Sequence, residues 1–159
     1  MATNTVVGAV LVAGGGVAGM QAALDLANAG YYVYMVEKSP AIGGRMAQLD
    51  KTFPTNDCSM CIISPKLVEV GRHINVELLT LTDILSIDGV EGDFRVRVRK
   101  NPRYIDMSKC IACGECAKKC PVKVDNEYNE CLDKRKAVYV QYAQAVPLKY
   151  GLDAEKCLF

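Results

Sequence analysis

The chain has 159 residues, a formal net charge of +1 and eight cysteines. Half of its residues are hydrophobic and 23% are charged, which suits one packed domain, or a domain with a small module, and excludes a wholly disordered chain. The near-neutral balance lacks the bulk positive charge on which non-specific nucleic-acid or membrane-surface binding rests.

Val6–Ala13 (VVGAVLVA) is a continuous apolar run and predicts a strand buried on both faces, as in a parallel sheet. The run is too short to span a membrane. Met1–Thr5 carries no basic residue, so no signal peptide is expected, and the expected compartment is a reducing cytoplasm. Val17–Ala29 follows with helical spacing and small residues that permit close packing on a sheet, and Gly30 is the expected helix stop. Tyr32–Val36 predicts a second strand, ended by Glu37. Lys38–Asp57 reads as loop. Ser64-Pro65 predicts an N-cap with proline in the first helical position, and the helix runs to Gly71. Three strands are expected at Val76–Leu79, Ile84–Ile87 and Phe94–Val98. The last alternates strictly and places Arg95, Arg97, Arg99 and Lys100 on a wet face, which is either solvated or a surface for an acidic partner. A boundary near Lys100-Asn101-Pro102 divides the chain into residues 1–100 and 101–159. The second part carries one strand-like run, Ala137–Tyr142, and Pro147–Phe159 shows no regular pattern. His73, beside Arg72, reads as a surface histidine.

Gly14, Gly16 and Gly19 form a G-x-G-x-x-G set between the first strand and the first helix, the context that a dinucleotide fingerprint requires. The first glycine permits a tight turn, the second a close backbone approach to pyrophosphate, and the third packing of helix on strand. The helix N-terminus then supplies N–H groups for phosphate charge. Glu37, at the end of the second strand, stands where a carboxylate accepts from a ribose diol.

Cysteine is absent from the first 57 residues, and four of the eight fall between Cys110 and Cys120. Such clustering points to metal or redox work. Cys110-x2-Cys113-x2-Cys116-x3-Cys120-Pro121 matches the bacterial ferredoxin run for a [4Fe–4S] cluster. Three thiolates two residues apart wrap a tight loop around one face of a cubane, whereas zinc prefers two separated pairs. In two-cluster ferredoxins the fourth cysteine of such a run serves the other cluster. Cys120 and Cys157 are then expected in a second cluster that the chain does not finish, although Cys120 completing a single cluster stays open. Cys131 reads as a free thiol. For Cys58-x-x-Cys61 four readings stand: ligands of a cluster completed elsewhere, a redox dithiol, a zinc half-site, or inert thiols.

Beyond these patterns, Glu37-Lys38-Ser-Pro-Ala-Ile-Gly43-Gly44-Arg45 resembles the second glycine pair of large FAD-containing oxidoreductases. The resemblance implies that Lys38, Gly43, Gly44 and Arg45 run along the phosphates and ribose of FAD. Over its whole length, with GGGVAGMQAALDLANAG, NDCSMC, SPKLVEVGRH, the ferredoxin run and KAVYVQYAQAVPLKY, the chain resembles the A subunit of heterodisulfide reductase. That family implies an α/β, Rossmann-like, thioredoxin-reductase-like FAD domain with a ferredoxin-like [4Fe–4S] domain. It implies flavin-based electron bifurcation toward ferredoxin and the coenzyme M–coenzyme B heterodisulfide. The implied partners are the other heterodisulfide reductase subunits, hydrogenase or formate dehydrogenase subunits, and ferredoxin. Members of the family continue well past residue 159, so a half-built FAD site and a truncated, poorly active chain are expected. The competing readings are a non-catalytic electron-transfer module of a related bacterial complex and a zinc-binding interaction protein. No protein general base or nucleophile is nominated.

Overall fold

The structure, a computed structural model, describes residues 8–158. Val6 and Val7 of the first predicted strand lie outside that range. Three strands, β1 (Ala9–Ala13), β2 (Tyr32–Val36) and β3 (Val76–Leu79), form a parallel sheet in the order β1-β2-β3. Helices α1 (Val17–Asn28) and α2 (Ser59–Arg72) cross between them. The core is built where the two helices meet the sheet: Met20, Ala23, Leu24 and Ala27 from α1, Val33 and Met35 from β2, and Ile63, Leu67 and Val70 from α2.

α1 ends as a glycine stop should. The Tyr31 N–H donates to the Leu26 carbonyl at 3.0 Å, and the Gly30 N–H to the Ala27 carbonyl at 3.1 Å, with Gly30 at φ +98°. Gly30→Ala puts a Cβ into that left-handed conformation. It is expected to cost about 1 kcal/mol, read as a fall of about 2–4 °C in melting temperature.

Two expectations for the sheet and its helices differ from the structure. First, β1 is buried only at Val12, while Val10 and Leu11 are half-buried and Ala9 and Ala13 exposed. Among the described residues β1 pairs only with β2. Its other face looks across an open cavity of about 850 Å³ to a hairpin of β4 (Thr82–Val90) and β5 (Asp93–Lys100). Second, α2 does not start at Ser64-Pro65. Cys58 is its N-cap, with Sγ accepting the Cys61 N–H at 3.2 Å, and Pro65 lies inside the helix. The buried positions Ser59, Ile63, Leu67 and Val70 make one continuous face through Pro65. Packing of that face outweighs the single helical hydrogen bond that proline forfeits.

The second part of the chain forms small elements: α3 (Glu115–Lys119), β6 (Lys123–Asp125), β7 (Lys134–Lys136), β8 (Val138–Tyr139) and β9 (Gly151–Leu152). β6 pairs with β7 and β8 with β9, both antiparallel. The single strand expected at Ala137–Tyr142 is therefore reduced to β8, with the buried Ala137 separating it from β7. The stretch from Pro147, expected to lack structure, carries β9 and a short 3₁₀ turn at Ala154–Lys156. This part docks on the first. Ile42 N–H donates to the Val146 carbonyl at 2.9 Å, and Tyr142 and Val146 pack against the core.

Arg103 ties the two parts together. It is 8% exposed, and its guanidinium donates to the Pro40 carbonyl (2.6 Å), Thr80 Oγ1 (3.0 Å) and the Lys149 carbonyl (3.3 Å). Arg103→Met leaves those acceptors unsatisfied in a buried place and is expected to cost roughly 2–3 kcal/mol. Chemical denaturation monitored by circular dichroism checks it.

Candidate functional site

The glycine turn after β1 is shaped by contacts that no side chain fits. A Cβ on Gly19 would stand 2.0 Å from the Gly14 carbonyl oxygen, so only glycine lets α1 lie this close to β1. Gly14 takes φ +99°. Gly16 is the N-cap of α1 and no side chain caps the helix, which leaves its first N–H groups for a ligand. Glu37 is held where the spacing predicts. Its Oε2 accepts the Gly15 N–H at 2.7 Å, and its Oε1 accepts the Ser39 N–H at 2.8 Å and the Ser39 hydroxyl at 2.6 Å. Ser39 and Gly15 are the residues that sequence reasoning missed here, and their only signal was proximity to Glu37 and Gly14.

The second glycine pair folds back onto the first turn. Gly43 N–H donates to the Gly15 carbonyl at 2.7 Å, and a Cβ on Gly44 would meet Gly16 Cα at 3.0 Å. Gly14, Gly16, Gly43, Gly44 and Glu37 thus surround one place, although Glu37 and the second pair lie 18 to 30 residues from the first turn along the chain. Lys38 adjoins it. Arg45 lies farther out: it is exposed and pairs with Glu130 at 2.6 Å, reaching the cysteine-rich part rather than the glycine turn.

The ferredoxin-like run places its thiols in two settings. Burial, and then the neighbouring Cys116, Cys113 and Cys110, push the Tyr150 hydroxyl above its ordinary range, and that hydroxyl lies 3.2 Å from where a Gly114 Cβ would stand. Cys110 is held below the ordinary thiol range, chiefly by the Tyr150 N–H and also by the Ala112 N–H. Lys149 Nζ donates to the Cys110 carbonyl at 2.6 Å and fixes the same loop. Cys120 belongs to another setting, its thiol also lowered, first by the Val138 N–H and then by those of Val122 and Ala137. Cys157 follows β9, the partner of the strand that serves Cys120. Backbone N–H groups aimed at sulfur stabilise thiolate, the ligand form that an iron–sulfur cluster needs, so the donor chemistry fits such a group. Among the described residues no three His, Cys, Asp or Glu side chains close into a metal-binding set.

Cys58 and Cys61, one of whose expected roles was cluster ligation, are joined to each other in a disulfide at the start of α2. A ligand role would first require their reduction. His73 caps α2 and its ring accepts the Asn75 N–H at 3.1 Å, in keeping with a structural surface residue.

The family model of the FAD-dependent oxidoreductases matches residues 9–133, which include the glycine turn, Glu37, the second glycine pair and the cysteine run. This chain belongs to the FAD-dependent oxidoreductase family. The chain is also 54% identical over 148 residues to the A subunit of the H2:CoB–CoM heterodisulfide,ferredoxin reductase of Methanothermobacter marburgensis. It is 54% identical over 148 residues to the iron-sulfur A subunit of the CoB–CoM heterodisulfide reductase of Methanocaldococcus jannaschii, and 56% identical over 137 residues to a protein of that description from Methanopyrus kandleri. These alignments cover 93%, 93% and 86% of the chain but 22%, 22% and 21% of the relatives. The chain thus spans about a fifth of the length of these relatives. The resemblance to heterodisulfide reductase read from the motifs is matched by these names. No helix among the described residues is long and apolar enough to cross a membrane.

The close Gly14–Gly19 contact and the uncapped start of α1 are compatible with a bound pyrophosphate. The contacts that bring the cysteine-rich part to this site were invisible in the motifs. Tyr128 donates its hydroxyl to the Ala47 carbonyl and Tyr142 to the Ile42 carbonyl, and the two rings stack at 5.4 Å.

Proposed function

We propose that this chain is the flavin and iron–sulfur segment of a heterodisulfide-reductase-type electron-transfer protein. In this reading electrons move between FAD and [4Fe–4S] clusters on the way to the coenzyme M–coenzyme B heterodisulfide and ferredoxin. The observation that carries it is the docking of the cysteine-rich part on the glycine-pair turn, through Tyr128, Tyr142 and Val146. It supports the reading because the second glycine pair and the cysteine-rich part share one support.

When bound, FAD would exchange electron pairs for single electrons, which the clusters carry. The chain's own residues hold these groups. Gly14, Gly16 and Gly19 admit the pyrophosphate, Glu37 accepts from the ribose, and Lys38, Gly43, Gly44 and Arg45 border the same path. Cys110, Cys113 and Cys116 hold one cluster. Cys120 and Cys157 serve a second, with Cys120 completing a single cluster as the alternative. The partners are the remaining subunits of a heterodisulfide reductase complex, hydrogenase or formate dehydrogenase subunits, and ferredoxin.

Anaerobic purification with optical and EPR spectroscopy, followed by heterodisulfide-dependent oxidation of a reduced dye, tests the reading. Flavin absorption, an iron–sulfur EPR signal and dye oxidation are expected. Zinc in place of both redox signals would overturn it. Redox signals without heterodisulfide turnover, but with another acceptor served, would make the chain a module of a related complex.

A further inference from the structure

Lys136–Lys149 falls within KAVYVQYAQAVPLKY, a stretch to which neither the glycine motifs nor the cysteine spacing assigns a role. Its two ends are tied to the cysteine loops. Lys136 Nζ donates to the Cys120 carbonyl at 2.7 Å, and Lys149 Nζ to the Cys110 carbonyl at 2.6 Å. Its middle is tied to the residues just before the second glycine pair. Gln141 Oε1 accepts the Ala41 N–H at 3.2 Å, the Val146 carbonyl accepts the Ile42 N–H at 2.9 Å, and the Tyr142 hydroxyl donates to the Ile42 carbonyl. Tyr142 also sits directly on Gly43, where a Cβ would stand 2.7 Å from its hydroxyl oxygen.

We propose that this strap positions the second glycine pair for FAD, with Tyr142 as the positioning residue, and so makes FAD affinity depend on iron–sulfur loading of the cysteine loops. The inference rests on the FAD and cluster reading above and adds to it a coupling between the two sites.

Hydrogen bonding inside the fold carries the coupling. Ala41 and Ile42 are 3% and 0% exposed, and buried backbone groups need partners. The strap supplies partners for both of their N–H groups and for the Ile42 carbonyl. Pulling the strap away would leave these groups unsatisfied, so strap and glycine loop hold their places together. Gly43 N–H in turn donates to the Gly15 carbonyl at 2.7 Å, which passes the position of the loop to the turn before α1. At the other end, a metal group fixes the loops that ligate it. Both ends of the strap are pinned to main-chain carbonyls of ligand residues, so a cluster that fixes those loops also fixes the strap. Coupling of this kind is reciprocal: FAD on the glycine pair favours the loaded cysteine loops by the same factor.

The test is equilibrium dialysis of the deflavinated protein against FAD, run on iron-loaded protein and on protein stripped of iron by a chelator. Iron removal is expected to weaken FAD binding to wild type by roughly tenfold. Tyr142→Phe keeps the ring and removes only the donor to Ile42. It is expected to weaken FAD binding to the loaded protein by about fivefold and to cut the effect of iron removal to about threefold or less. If circular dichroism shows that Tyr142→Phe does not fold, Gln141→Ala, which removes the acceptor of the Ala41 N–H, carries the test by the same criteria. Wild-type FAD affinity that stays within about twofold when iron is removed would overturn this inference and spare the FAD reading. So would a folded variant that responds to iron removal as strongly as wild type, the result that general loosening of the iron-free protein gives. A wild-type protein that binds FAD but takes up no iron would overturn the inference and the cluster reading together, and one with no affinity for FAD would overturn the inference and the FAD reading.

Discussion

Replacing Cys110 with Ala is expected to abolish the [4Fe–4S] signal of the cluster assigned to Cys110, Cys113 and Cys116. A [4Fe–4S] cluster takes four ligands, normally all thiolate; this chain's run supplies three of them with Cys120 in the other cluster, and a methyl group in place of Cys110 leaves only two. Cys110 is also held below the ordinary thiol range, chiefly by the Tyr150 N–H and then by the Ala112 N–H, so its loss removes a sulfur favoured as thiolate. Iron content and EPR after anaerobic reconstitution measure the effect, with Cys131→Ala as the control expected to retain the full signal. Cys120→Ala then separates two arrangements. Retention of the first cluster assigns Cys120 to the second, as its separate setting beside Val138 favours. Loss of all iron would show that Cys120 completes a single cluster.

The second large effect is expected at Gly19. A Cβ there would stand 2.0 Å from the Gly14 oxygen and 3.1 Å from the Gly14 carbonyl carbon. Both atoms are backbone, so relief requires α1 to move away from β1. Gly19→Ala is therefore expected to cost roughly 2–3 kcal/mol of stability. The same displacement carries the helix N-terminus off its phosphate position, so FAD affinity is expected to fall by about tenfold or more. Gly16→Ala gives the contrast. Its Cβ would meet nothing within 4 Å and its φ is an ordinary −75°. Stability is expected to hold while FAD binding falls, because the added methyl takes space that a close-lying pyrophosphate needs. Thermal unfolding and flavin titration on both variants distinguish a folding glycine from a binding one.

The sequence by itself determined the local parts of this protein. The β1–turn–α1–β2 unit was legible because strand, glycine turn and helix are each set by short-range preferences, and the Gly30 stop needs only a residue that tolerates positive φ. The ferredoxin-like spacing from Cys110 to Cys120 was equally plain to read, and it names a candidate cluster loop. The start of α2 was misread because Ser64-Pro65 is a good local signal that a longer buried face overrides. Burial of Ser59, Ile63, Leu67 and Val70 against the sheet decides the helix, and that face exists only once the sheet is there. The burial of β1 was overestimated for the same kind of reason: an apolar run says what a strand can pack against, not which neighbours cover it. Only the tertiary structure decided how the cysteine-rich part meets the glycine turns. Tyr128, Tyr142 and Arg103 carry that meeting through contacts 63 to 100 residues apart, and no periodicity or spacing records a pairing at such range.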